Sequence, residues 1–101
     1  MNKLHLYLAN LDHNFGLIRK QLSSNTAIFG VVKAWAYGSD MIKIAKRLEQ
    51  IGVDYLAVAY AEEGKILREG GINMPILVFY PQIIGLQTII DYKLEPSLYL
   101  S

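Results

Sequence analysis

Cysteine is absent from the 101 residues, so a disulfide framework, a thiolate metal site and a cysteine nucleophile are all closed to this chain. No apolar run reaches the ~18 residues of a membrane span, and Met1-Asn2-Lys3-Leu4-His5 lacks the apolar region of a signal peptide. Charge of one sign is lacking too. Ten basic and nine acidic residues are interspersed, for a net charge of +1 and a pI near 8.0. That pattern offers no electrostatic footprint for nucleic acid or an anionic membrane surface. No Walker A or GxGxxG pattern occurs, so nucleotide binding is not expected of this chain. A cytoplasmic protein is the simplest reading.

Apolar material, by contrast, is plentiful. Hydrophobic residues make up 52% and the mean hydropathy is +0.23, rich for a free-standing domain of this size. Some of that surface is expected to face a partner. Strand and helix signals alternate along the chain. Leu4 to Leu8 reads as a short leading strand, and Asn10 offers an N-cap to a helix with Leu11, Phe15, Ile18 and Leu22 at helical spacing. After the turn-like Ser23-Ser24-Asn25-Thr26 comes an apolar strand, Ala27 to Lys33, with Phe29, Val31 and Lys33 on one face. Ser39 or Asp40 can cap a second helix that turns Met41, Ile44, Ala45, Leu48 and Ile51 inward and stops at Gly52. Asp54 to Tyr60 is the next strand, Glu62 to Glu69 a helix ended by Gly70-Gly71, and Pro75 to Tyr80 a strand interrupted by Pro81. Ile83 to Ile90 is a weaker apolar helix, and Leu98 to Ser101 begins a further strand. Such alternation implies parallel strands joined by right-handed βαβ units.

Val31-Val32-Lys33-Ala34-Trp35-Ala36-Tyr37-Gly38 is the stretch most suggestive of chemistry. A lone lysine ending an apolar strand, before a tyrosine and a glycine turn, is placed where the strand opens into a pocket. A desolvated lysine amine has a lowered pKa and can condense with a carbonyl. Taken alone, though, an ordinary snorkelling lysine would be the commoner explanation.

The surrounding wording reverses that balance. Leu4 to Asn14, Val31 to Gly38, Gly52-Val53-Asp54-Tyr55-Leu56-Ala57-Val58-Ala59, Glu62-Glu63, Leu67-Arg68-Glu69 and Pro75-Ile76-Leu77-Val78 resemble, in order and spacing, the alanine racemases. The wording around Ala36 to Asp40 and Ala57 to Gly64 is most similar to the racemase half of bifunctional ligase/racemase proteins. The resemblance implies an α/β fold, part of a (β/α)8 TIM barrel. About the first four βα units are expected, residues 11–101, preceded by one short strand within residues 1–10. A complete barrel takes about 250 residues, so the chain is expected to be an N-terminal fragment of one. Interconversion of L- and D-alanine for peptidoglycan synthesis is the implied activity. Lys33 is the implied anchor of pyridoxal 5'-phosphate and one of two bases that exchange the substrate α-proton. Tyr37 is implied to lie near the cofactor phosphate. The family's second base is a tyrosine from the partner subunit of a homodimer, and no residue here matches its motif. Trp35 departs from the smaller or polar residue frequent at its position.

Other candidates are weaker. Glu62 and Glu63 at a helix start more simply complement the macrodipole. His5 and His13 lack an acid cluster at metal-ligand spacing, so no metal site is expected. Two alternatives to the racemase remain open: another pyridoxal-phosphate enzyme of this fold, such as a decarboxylase or different racemase, and a non-catalytic structural half-barrel. Open sheet edges also predict a homodimer or a self-associating half-barrel.

Overall fold

In the computed structural model, residues 2–33 and 38–97 are described. The elements run α1 (Lys3–Gln21), β1 (Phe29–Val31), α2 (Gly38–Ile51), β2 (Tyr55–Val58), α3 (Ala61–Glu69), β3 (Ile76–Val78), a 3-10 turn (Ile83–Gly85), α4 (Leu86–Asp91) and β4 (Glu95–Pro96). The four strands form one parallel sheet in the order β1-β2-β3-β4. Four parallel strands in sequence order, with a helix between each neighbouring pair, agree with the expected part-barrel.

Alternation along each strand divides the sheet into two faces. Leu56, Val58, Ile76 and Val78 point to the helices and are fully buried there with Met41, Ile44, Ala45, Leu48, Leu67 and Ile89. Burial of each such Val, Leu, Ile or Met side chain stabilises the fold by about 1.5–3 kcal/mol. Gly30 lets α2 approach β1 closely: a Cβ there would lie 2.9 Å from Leu48 Cδ1. Phe29 and Tyr55, paired in register on the opposite face, stack with ring centroids 5.0 Å apart.

The expected leading strand is overturned. Leu4 to Leu8 lies within α1, whose N-cap is Asn2, not Asn10; the Asn2 Oδ1 accepts from the His5 N–H at 2.8 Å. The spacing of Leu4, Leu6 and Leu8 fits a strand, but Leu4, Leu8, Leu11 and Phe15 also fit a helix, and these pack on the core. A helix satisfies its own backbone, whereas a lone strand needs neighbours to pair with. Inward packing fades toward the end of α1, where Ile18 and Leu22 are exposed.

β4, at Glu95–Pro96, is a strand the sequence reading did not include, and the strand expected over Leu98 to Ser101 falls outside the described residues. Lys93 takes a left-handed backbone (φ 53°), turning the chain out of α4 so that Leu94 is buried and Glu95 joins β3. No glycine marked that turn.

Two arginines fasten the loops leading into the strands. Arg19 donates to the carbonyls of Thr26 and Gly52 and reaches Asp54, whose carboxylate accepts from the Ile28 N–H at 2.7 Å. Arg68 donates to four carbonyls, those of Tyr92 (2.8 Å), Ile72 (2.9 Å), Met74 (2.7 Å) and Lys93 (3.2 Å). Burial lowers the proton affinity of Arg68 from its ordinary value, and the nearby Glu95 opposes this.

Candidate functional site at the end of the first strand

The ladder between β1 and β2 continues one residue past Val31, because the Val32 N–H donates to the Ala57 carbonyl at 2.8 Å. This fixes how Lys33 leaves the sheet. Val32 is buried on the helix side, and alternation sends Lys33 to the other face with Phe29 and Val31, where it is exposed. Register lines Val31 up with Ala57 and Leu77 across three strands. Phe79, whose N–H donates to the Val58 carbonyl, follows Leu77 on the same face. Lys33 therefore ends an apolar row of Val31, Leu77 and Phe79. The row was legible in principle from the period-2 alternation of each strand, but only pairing register brings its members together.

A cavity of about 300 Å³ adjoins the lysine. Val31 and Phe29 line it from β1, and Tyr7, Leu11, Asn14 and Phe15 from α1. Tyr7 and Asn14 were not singled out in the sequence; for Tyr7 the helical reading of residues 3–10 was the missing step. Neither ion pair of the described residues, Arg19 with Asp54 or Arg47 with Asp12, involves Lys33. Tyr37, with Ala34, Trp35 and Ala36, lies outside the described residues, so its expected place near the cofactor phosphate rests on the family resemblance.

The weaker candidates are brought to no common site. Glu63 Oε1 accepts from the Tyr60 N–H at 2.8 Å and so closes the start of α3, while Glu62 is exposed beside it. His5 and His13 are exposed on α1. Among the described residues no group of His, Cys, Asp and Glu could hold a metal ion. A larger crevice, about 550 Å³, lies at the other end of the strands, between Arg68, Asn73, Pro75, Tyr92 and Glu95. It surrounds the arginine tie and is remote in topology from Lys33, so its size does not make it the chemical end. In α/β barrels chemistry gathers where strands run into the following helices.

Residues 6–100 match the family described as alanine racemase, N-terminal domain. The chain belongs to that family. It is similar to alanine racemase 1 of Caldanaerobacter subterraneus subsp. tengcongensis, 41% identical over 98 residues, covering 96% of this chain and 25% of the relative. It also matches an amino-acid racemase of Enterococcus faecalis, 46% identical over 68 residues, covering 67% of this chain and 10% of that one. Among solved structures, the alanine racemase of Clostridium difficile 630 superposes with a TM-score of 0.74 at 39% identity, covering 88% of this chain and 23% of that chain. The chain thus spans about a quarter of the length of the first alanine racemases it matches.

Proposed function

We propose that this chain is the cofactor-lysine part of an alanine racemase, the whole enzyme interconverting L- and D-alanine with pyridoxal 5'-phosphate. The observation that carries the reading is Lys33, a primary amine at the C-terminal end of β1, in a chain that belongs to the alanine racemase family. The donor set fits that cofactor. Lys33 provides the amine that a pyridine aldehyde requires, and Val31, Leu77 and Phe79 provide an apolar flank for its ring. When bound, the cofactor takes up the electron pair left as the substrate loses its α-proton. Lys33 Nζ would hold and return that proton on one face of the substrate, and Tyr37, assigned by the family resemblance alone, would offer its phenol to the phosphate. Inversion needs a second base on the opposite face, and in this reading it comes from a second copy of the whole enzyme. The enzyme is on this reading a cytoplasmic homodimer. Among the described residues no helix is long and apolar enough to cross a membrane.

A visible-absorbance titration of the chain with pyridoxal 5'-phosphate tests the lysine, followed by borohydride reduction and mass mapping. Saturable binding lost in Lys33→Ala, with the label on Lys33, is expected. Equal weak labelling of many lysines would reject Lys33 as the anchor. The 101-residue chain by itself is expected to racemise alanine no faster than free cofactor does. A second reading, a racemase of wider amino-acid range, is favoured by the match to the Enterococcus faecalis amino-acid racemase. Substrate profiling of the whole enzyme separates the two.

A further inference from the structure

The loops after β2 and β3 form a second notch, on the other side of the sheet from the Lys33 row. Alternation turns Tyr60 and Tyr80, which follow Ala59 and Phe79, away from that row. They stand side by side because the Tyr80 N–H donates to the Ala59 carbonyl at 2.9 Å. Their ring centroids are 5.8 Å apart and the planes are tilted by 41°, so the rings open as a wedge. Both tyrosines are exposed. With Glu62, Gln82, Ile84 and Thr88 they line a cavity of about 230 Å³.

The chemistry of that lining is one-sided. It contains one carboxylate and no lysine, arginine or histidine. The two phenol hydroxyls, the Glu62 carboxylate, the Gln82 amide and the Thr88 hydroxyl make no hydrogen bond or ion pair with the described residues. Glu63, by contrast, is occupied in closing the start of α3. A helix start favours an anion, but here the first turn of α3 already holds Glu62 and Glu63. Two electron-rich ring faces, a free carboxylate and an aliphatic wall fit a cation with an alkyl tail.

We propose that the notch between Tyr60, Tyr80 and Glu62 binds a small organic ammonium ion. The charged end lies over the tyrosine faces beside Glu62, and the alkyl part lies against Ile84. At roughly 30 Å³ for each water-sized group, the cavity holds about seven or eight non-hydrogen atoms. This site does not depend on the role assigned to Lys33.

The test is an NMR titration of the 101-residue chain with butylammonium chloride, against sodium chloride and sodium butyrate at matched ionic strength. Saturable shifts of the Tyr60 and Tyr80 ring protons, with a millimolar Kd for butylammonium alone, are expected. Loss of a cation–aromatic or exposed ion-pair contact weakens binding by about threefold to fivefold, so Glu62→Gln should do so, and Tyr80→Leu likewise. Tyr80→Phe keeps the ring and should retain affinity within about twofold. Glu49→Gln, which removes an exposed charge on α2, should change nothing. Far-UV circular dichroism of each variant confirms that the fold is kept, and Tyr80→Phe with Glu62→Gln decides the matter if Tyr80→Leu is unfolded. Absence of saturation, tighter binding of butyrate, or equal weakening by Glu49→Gln would overturn the proposal.

Discussion

Replacing Arg68 by Met is the most informative test of how the sheet is held. Methionine keeps much of the aliphatic stem and removes the guanidinium, leaving the carbonyls of Ile72, Met74, Tyr92 and Lys93 without their donor. A hydrogen bond to a charged group contributes about 1.5–3 kcal/mol, but bonds to one guanidinium are not additive, and this half-buried site lets water replace part of the loss. The expected destabilisation is about 2–4 kcal/mol. For a chain of this length each kcal/mol lowers Tm by roughly 4–8 °C, so the shift should be about 8 °C or more. Arg68→Lys should fall between the two, because one ammonium cannot span four carbonyls on two loops. Urea unfolding followed by far-UV circular dichroism, with an unchanged m-value, measures the difference. If Arg68→Met stays within about 0.5 kcal/mol of the parent chain, the four-carbonyl tie does not hold these loops together.

Two glycines make a contrasting pair. Gly52 sits at φ +98° with open space around it, so Gly52→Ala should cost about 1 kcal/mol through backbone strain alone, with no repair by neighbouring changes. At Gly64 a Cβ would meet Leu94 Cδ1 at 2.7 Å, so Gly64→Ala should cost about 1–3 kcal/mol, and adding Leu94→Ala should recover part of it. A double-mutant cycle showing no coupling between positions 64 and 94 would count against that contact. Tyr92 supplies a pH test. Burial first, and then its hydrogen bond to Glu69, raise its pKa above the ordinary value. The folded state therefore holds the phenolic proton more tightly than the unfolded chain, and stability present below the unfolded pKa is lost as pH climbs through the folded one. Tyr92→Phe should flatten this alkaline decline relative to the parent chain; identical slopes would deny the shift.

Much of this arrangement was legible from local pattern. The helical spacing of Met41, Ile44, Ala45 and Leu48, and the stop at Gly52, are features a helix must display to bury one face, and α2 follows them. Lys33 stood out through the wording of Val31 to Gly38 around it, since a lysine ending an apolar strand is by itself more commonly a snorkelling one. Leu4 to Leu8 misled because five residues satisfy both a period of 2 and a period of 3.6, and only the core contacts of Leu8, Leu11 and Phe15 choose between them. The turn at Lys93 was hidden because its left-handed backbone is held by Leu94 packing and Arg68 bonding, which no neighbouring residue announces. Likewise the apolar row of Val31, Leu77 and Phe79, and the facing of Tyr60 and Tyr80, exist only once strand register is set.

The two arginine ties have an evolutionary consequence. Arg19 and Arg68 bind carbonyls in the loops that enter the strands, whereas Lys33, Tyr60 and Tyr80 lie where strands leave the sheet. Heritable change in the exit loops can therefore proceed without loosening either arginine. A chain so divided can explore new specificities at one end while the other end preserves its foldability.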